Sequence, residues 1–152
     1  MEKALLVTIK QYAEHSWPIE DLARELEELA ASTGVENVDN LLVMLDRPTP
    51  NLYIGKGKAE EIALRVADEG VDAVIFSHDL TGTQQRNLED VIGQKTIDRT
   101  QLILDIFAGH AKSPEGKTQV ALAQMQYLLP RLTGKGLILS RQGGGIGTSG
   151  PG

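Results

Sequence analysis

Residues 71–93 read VDAVIFSHDLTGTQQRNLEDVIG, and the fold class follows most directly from this stretch. It opens with Val71–Phe76, an apolar run of strand length that is typical of a strand covered on both faces. Thr81 and Gln84 then have the spacing of a capping box, in which the threonine hydroxyl accepts a hydrogen bond from the backbone N–H three residues later. A helix is predicted from there until Gly93 ends it. The stretch is therefore a strand–loop–helix unit, typical of an α/β protein.

The same alternation of strand and helix signals extends along the chain in both directions. Further strands are predicted at Ala4–Ile9, near Asn40–Leu45 and at Lys95–Ile97. Further helices are predicted from Pro18 to Gly34, over Lys58–Glu69 and from Arg99 to about Gly109. The apolar run Leu41–Leu45 indicates a strand buried on both faces. Strands that alternate with helices of this length predict a parallel sheet with right-handed crossovers.

The sequence changes character after the fourth predicted helix. Ser113–Glu115 is a typical helix start, with a capping hydroxyl, a proline in the first turn and an acid near the positive end of the helix dipole. An apolar stripe then leads to Pro130, which should kink the helix or mark its last turn. Eight of the 16 glycines follow in residues 134–152. We therefore expect a small α/β subdomain with a four-stranded, mainly parallel sheet over residues 1–110, a long helix over 111–133, and a flexible, disordered glycine-rich tail over 134–152.

Composition excludes several kinds of protein. The chain has no cysteine, which excludes disulfide frameworks, thiolate zinc sites and cysteine nucleophiles. No apolar run reaches the roughly 20 residues that a membrane span needs. The first residues lack the apolar region and the cleavage site of a signal peptide. We therefore expect a cytoplasmic protein without a membrane span.

Charge is divided unevenly along the chain. Residues 1–109 hold 10 Lys/Arg against 20 Asp/Glu, a balance of −10, whereas residues 110–152 hold five Lys/Arg against a single Glu, a balance of +4. Such asymmetry indicates a charged partner at one end. Charge alone favours two interpretations equally, an anionic partner such as nucleic acid and an acidic neighbouring domain.

Two glycine-rich stretches bear on nucleotide binding, although the chain contains no G-x-x-x-x-G-K-[ST] phosphate loop. Gly55, Lys56, Gly57 and Lys58 precede a predicted helix and form a candidate anion-binding site at its positive end. The alternative is an ordinary solvated helix start. Gly145–Gly150 spells G-x-G-x-x-G, but it has no predicted strand before it and no helix after it, so a dinucleotide site is rejected.

The remaining polar residues do not predict a catalytic site. Ser77, His78 and Asp79 are the residue types of a hydrolase triad, but triads are assembled from distant segments, so contiguity is poor evidence. Their loop does follow a strand, where α/β folds place ligands. His15, His78 and His110 lack metal-ligand spacing. Neither a catalytic residue nor a metal site is predicted.

The basic end is the strongest candidate for a binding surface. Arginine, lysine, glutamine and exposed backbone N–H groups are the usual donors to phosphate oxygens and base edges, and glycines let a partner approach the backbone. The candidate residues are Arg131, Lys135, Arg141, Gln142, Gly143, Gly144, Gly145, Ile146 and Gly147. Composition alone slightly favours the alternative, a flexible linker to another domain.

Four stretches together resemble the HflX family of ribosome-associated GTPases. They are Tyr53–Ile62 (YIGKGKAEEI), Leu80–Glu89 (LTGTQQRNLE), Ile97–Gly134 (IDRTQLILDIFAGHAKSPEGKTQVALAQMQYLLPRLTG) and Ser140–Gly152 (SRQGGGIGTSGPG). The resemblance runs from about Asp46 to the end, whereas residues 1–45 match the family only in pattern.

The resemblance implies an organisation and an activity. Proteins of this family have an α/β subdomain, a subdomain of two long helices and a GTPase domain, and they bind the large (50S) ribosomal subunit in splitting or rescuing stalled ribosomes. A glycine-rich loop between their long helices reaches toward the peptidyl-transferase centre. Here Glu115–Leu132 would be the first long helix and Arg141–Gly152 would lie in that loop, in contact with 23S ribosomal RNA.

The resemblance also implies that the second long helix and the GTPase domain are missing from this chain, which would then be an excised piece or a truncated product. GTP and Mg²⁺ would bind only in that missing domain, so no cofactor is expected in these 152 residues, and the GTPase domain would be a second partner. Two other functions stay open. One is a small nucleotide- or phosphate-binding protein that uses Gly55–Lys58 or Ser77–Asp79, and the other is an intramolecular regulatory domain without RNA contact.

Overall fold

The computed structural model describes residues 1–131. The strands are β1 (Lys3–Gln11), β2 (Glu36–Leu45), β3 (Ala73–Phe76) and β4 (Lys95–Ile97). The helices are α1 (Ile19–Ala31), α2 (Lys56–Glu69), α3 (Gly82–Ile92), α4 (Arg99–His110) and α5 (Pro114–Leu128), followed by a 3₁₀ turn at Leu129–Arg131. Each strand is followed by a helix, which confirms the predicted α/β alternation.

The four strands form one sheet in the order β2-β1-β3-β4, and all three pairings are parallel. Val7 at the middle of β1 lies opposite Leu41 of β2 and Phe76 of β3. All strands therefore end at the same edge, the carboxyl edge, where α1 to α4 begin. From β1 the chain continues through α1 to β2, and from β3 it continues through α3 to β4 in the opposite direction along the strand order. The topological switch point therefore lies between β1 and β3.

Alternate residues of β1 pack into two different cores. Leu5, Val7 and Ile9 belong to the core under α2 and α3, whereas Ala4 and Leu6 belong to the core under α1 and α4. All five side chains are fully buried. Burial on both faces explains why this strand reads as a continuous apolar run, as expected for a central strand of a parallel sheet.

β2 differs from the prediction that Leu41–Leu45 is buried on both faces. Leu42 is 45% exposed and Met44 is 38% exposed, so that prediction is wrong. β2 pairs with β1 alone and forms an edge of the sheet. On the same face of β2, the Asn40 amide donates to the Glu27 carboxylate of α1 at 3.0 Å. α1 therefore covers the first part of this face and leaves the last part open.

The helix ends follow their local signals. The predicted capping box is present, because the Thr81 hydroxyl accepts from the Gln84 N–H and the Gln84 side chain accepts from the Thr81 N–H. Gly93 ends α3 at φ +84°, a left-handed conformation that favours glycine. Pro130 lies in the 3₁₀ turn that ends the fifth helix, as predicted. α2 begins at Lys56, two residues earlier than predicted.

α5 packs along α4 but contributes no buried residue. Three apolar side chains of its stripe and of the turn that follows, Leu122, Met125 and Leu129, are 58%, 55% and 56% exposed. α5 is therefore attached to the α/β body without a core of its own. Within residues 1–131, none of the helices combines the length and the apolar character that a bilayer crossing requires.

Candidate functional site

Asp98 follows β4 at the carboxyl edge and is fully buried. Its Oδ1 accepts from the Gln101 backbone N–H at 3.0 Å and from the Tyr127 hydroxyl at 2.6 Å. Its Oδ2 accepts from the Leu80 backbone N–H at 3.0 Å and lies 3.7 Å from the Arg131 guanidinium. One carboxylate therefore joins the start of α4, the loop after β3 and the end of α5, and we call this group of contacts the anchor.

Arg131, which was predicted as an RNA contact, is part of this anchor. Its guanidinium donates to the Leu80 carbonyl at 2.7 Å and to the Tyr127 carbonyl at 3.1 Å. It also lies 3.8 Å from the centre of the Tyr127 ring, a cation–π contact. The side chain is 16% exposed. Arg131 therefore positions the end of the helical segment on the body, and an RNA contact of this residue stays a prediction.

The other predicted RNA contacts lie outside the described residues. They are Lys135, Arg141, Gln142, Gly143, Gly144, Gly145, Ile146 and Gly147. The structure does fix where the chain enters this segment, because Arg131 is its last described residue. That point lies beside Asp98, at the carboxyl edge of the sheet.

α3 holds the loop that leads from β2 into α2. The Gln84 side-chain amide donates to the Thr49 carbonyl at 2.8 Å, and the Asn87 amide donates to the backbone and side-chain oxygens of Asn51 at 2.9 and 2.7 Å. Within the loop, Thr49 and Tyr53 exchange two backbone hydrogen bonds, with Tyr53 at φ +68°. These contacts tie the loop just before the stretch Tyr53–Ile62 to the stretch Leu80–Glu89. Sequence reasoning missed them, because amide side chains on a helix carry no signal for a distant loop.

The predicted anion-binding residues lie together at the start of α2. Gly55 precedes the helix, and Lys56, Gly57 and Lys58 form its first turn. No side chain caps this helix or α1, whereas α3, α4 and α5 are capped by Thr81, Asp98 and Ser113. The space beside Gly55 and Gly57 is open within 4 Å, and Lys58 pairs with Glu61 at 3.2 Å. The first N–H groups of α2 therefore have no side-chain acceptor within residues 1–131.

Ser77, His78 and Asp79 do not form a triad. The Ser77 hydroxyl oxygen accepts from the Ile9 backbone N–H at 2.8 Å and lies 2.9 Å from His78 Nδ1. His78 Nε2 lies 3.8 Å from the Glu14 carboxylate. The Asp79 carboxylate instead accepts hydrogen bonds from the backbone N–H and the hydroxyl of Thr100, in the first turn of α4, at 3.0 and 2.7 Å. The cluster therefore ties the ends of β1 and β3 together at the switch point, with Glu14 facing the imidazole.

The electrostatics of this cluster follow from its partial burial. Burial lowers the pKa of His78; the Glu14 carboxylate opposes this shift, and Arg99 adds to it. Burial by itself would raise the pKa of Glu14, but hydrogen bonds from Ser16 and from the Gln11 N–H, together with His78, hold that pKa below its usual value. Across residues 1–131, no three His, Asp or Glu side chains are grouped so that they could hold a metal ion.

Comparison with known proteins identifies the family. Residues 20–108 match the family described as GTP-binding GTPase N-terminal, and residues 110–152 match the GTP-binding GTPase Middle Region. The chain belongs to the GTP-binding GTPase N-terminal family. The first match alone covers more than half of the chain, and the predicted resemblance to HflX proteins is confirmed.

Individual relatives agree with this family. The chain is 50% identical over 151 residues to a GTPase HflX from Caldanaerobacter subterraneus subsp. tengcongensis, with 99% of this chain and 34% of that protein covered. It is 46% identical over 151 residues to a GTPase HflX from Escherichia coli, with 99% and 35% covered. The chain thus spans about a third of the length of these relatives, and the match includes the first 45 residues that resembled the family only in pattern.

The fold also occurs in a solved structure. A GTP-binding protein from the hyperthermophilic archaeon Sulfolobus solfataricus, in complex with GDP, is 26% identical and superposes with a TM-score of 0.68. The match covers 87% of this chain and 38% of that one. The α/β body of the family is therefore shared between bacterial and archaeal relatives.

Replacing Asp98 with asparagine should lower the free energy of unfolding by about 3 kcal/mol, because Arg131 then keeps its charge in a largely buried position without its carboxylate. Urea unfolding followed by circular dichroism measures this change. Asp90→Asn is the matched control, since Asp90 is exposed on α3, and it should change stability by less than about 0.5 kcal/mol. Equal losses of unfolding free energy in Asp98→Asn and Asp90→Asn would contradict the stabilising role of the anchor.

The stability of the chain should fall in mildly acidic solution in part because of His78. Its folded-state pKa is lowered, so the unfolded chain takes up a proton first as the pH falls below roughly 6.5, and the fold loses stability over that range. His78→Asn should therefore reduce the loss of unfolding free energy between about pH 7.5 and pH 5.5. Between about pH 7.5 and pH 8.5, the two proteins should behave alike. If the unfolding free energy of His78→Asn falls as much as that of the unchanged chain over the acidic range, this prediction is wrong.

Proposed function

We propose that the chain is the ribosome-binding amino-terminal domain of an HflX-type GTPase that acts on the large ribosomal subunit in ribosome splitting or rescue. The observation that carries the proposal is the division of charge, −10 over residues 1–109 and +4 over residues 110–152. In this proposal GTP and Mg²⁺ bind a separate GTPase domain of the longer protein, and the present chain supplies the contact with 23S ribosomal RNA in the cytoplasm.

The anchor supports the proposal, because it connects the two oppositely charged parts at a defined place. Arg131 holds the end of the helical segment against Leu80 and Asp98. The basic residues Lys135 and Arg141 follow it by four and ten positions. An RNA surface attracts this end and repels the acidic body, so the charge division orients the domain on RNA. The glycines around Arg141 let RNA phosphates approach backbone N–H groups.

The open stripe of α5 fits the same proposal. Leu122, Met125 and Leu129 are each more than half exposed, which leaves an apolar helix face without a cover within residues 1–131. A helix with such a stripe normally buries it against another element. We assign this role to the second long helix of the helical subdomain, whose presence in the longer protein the family resemblance implies.

Ribosomal RNA binding predicts a salt-dependent association with large ribosomal subunits. Replacing both Lys135 and Arg141 with alanine should weaken co-sedimentation with isolated large subunits and should reduce the slope of log affinity against log salt by about two, because two phosphate contacts are lost. Lys3→Ala together with Lys95→Ala is the matched control. It removes the same charge from the opposite edge of the sheet and should leave the slope unchanged.

A longer piece of the protein, which includes the second long helix, distinguishes RNA binding that the shorter chain has lost from an RNA-binding proposal that is wrong. If this chain fails to co-sediment at low salt but a piece that includes the second helix succeeds, the RNA contact requires both helices. If neither binds, the RNA-binding proposal is wrong. Binding to the GTPase domain alone, with none to RNA, would instead support an intramolecular regulatory domain.

The uncapped start of α2 favours a second candidate function, binding of an anion such as phosphate. Its first N–H groups lack a side-chain acceptor, and Lys56 is exposed beside them. Isothermal titration calorimetry with inorganic phosphate, ATP and GTP tests this function directly. Anion binding predicts heat that disappears in Lys56→Ala and persists in Lys10→Ala, because Lys10 already donates to the Trp17 carbonyl. Absence of heat with all three ligands would exclude this function.

A further inference from the structure

The outer side of α1 borders a cavity of about 410 Å³. Its lining residues are Trp17, Asp21, Leu22, Arg24, Glu25 and Glu28, which we call the α1 face. The spacing of Asp21, Arg24 and Glu28 brings them onto one side of α1, and Trp17 precedes the helix and lines the same pocket. This surface shares no residue with the candidate RNA contacts, and its polar members are one aromatic ring, three carboxylates and one arginine.

Trp17 is the most unusual member of the α1 face. It is the single tryptophan of the chain and is 71% exposed, although tryptophan is normally well buried. Its backbone is fixed by the Lys10 ammonium, which donates to its carbonyl at 3.0 Å, and by Pro18 at the start of α1. An exposed indole on a fixed backbone is a good acceptor for cation–π contacts, and arginine is the cation most often found in them.

The charges of the α1 face favour a positively charged ligand. α1 carries five carboxylates and one arginine. Asp21 is paired with Arg24 at 3.6 Å, and Glu25 is paired with Arg99 of α4 at 3.1 Å. Glu28 has no ion-pair partner within the part of the chain that the structure describes, and it lines the same pocket eleven positions after Trp17. That spacing corresponds to roughly 15 Å along a helix. An RNA phosphate would be repelled here, whereas an arginine-rich segment could stack one guanidinium on the ring and pair another with this carboxylate.

We propose that the α1 face docks an arginine-rich segment of a partner protein. Trp17 makes the cation–π contact with one arginine of that segment, and Glu28 forms an ion pair with another. The proposal does not rest on the RNA contact of the basic end, because the two surfaces have opposite charge and use different residues. It gives the acidic body a binding role of its own, in addition to carrying the helical segment.

Trp17 itself is the probe for this proposal, since it is the only tryptophan in the chain. Titration of the chain with a hexa-arginine peptide should change its tryptophan fluorescence in a saturable, salt-sensitive way, whereas hexa-glutamate should not. Glu28→Lys should weaken the affinity about fivefold or more. Glu60→Lys is the matched control, because it makes the same charge change at an exposed position of α2 and should leave the affinity near that of the unchanged chain.

A second measurement does not depend on the fluorophore. Calorimetric titration of Trp17→Ala with the same peptide should show an affinity lowered about threefold or more, with circular dichroism confirming the fold. Equal affinities in Glu28→Lys and Glu60→Lys, or an unchanged affinity in Trp17→Ala, would overturn the proposal. A fluorescence response to oligouridylate without a response to hexa-arginine would also overturn it, in favour of a nucleic-acid surface.

Discussion

The buried carboxylate of Asp98 is the constraint on which the arrangement of the chain depends. A charge in the interior is costly unless it is paired and hydrogen-bonded. Here two backbone N–H groups and the Tyr127 hydroxyl donate to it, and the Arg131 guanidinium lies beside it. Since α5 buries none of its own residues, these contacts and its packing on α4 fix its place. The carboxylate therefore links the acidic α/β body to the segment from which the basic end continues.

Much of the fold could be predicted, because its signals are local. The alternation of strands and helices, the Thr81 capping box and the helix-ending Gly93 depend on neighbouring residues alone, and all three agree with the structure. The burial of β2 could not be predicted in the same way. Its apolar run Leu41–Leu45 resembles that of a central strand, but its edge position follows from the strand order, which the crossovers set.

The candidate sites could be predicted only in part. The glycines and lysines at the start of α2 form a contiguous pattern, so sequence reasoning found them. Asp98 precedes a helix and is recognisable as a cap, but its bond to Tyr127 spans 29 positions and needs the folded chain. The exposure of Trp17 has no sequence signal, because tryptophan usually indicates a core. The RNA contacts beyond Arg131 rest on composition and on family resemblance.

Amide hydrogen exchange of Tyr127→Phe tests the central claim most directly. This substitution removes one hydroxyl, the one that donates to Asp98 at 2.6 Å. If the anchor holds the helical segment on the body, the amides of α5 should exchange several-fold faster than in the unchanged chain, while those of β1 and β3 keep their protection. Unchanged exchange in α5, or an equal loss of protection in the strands, would contradict the account.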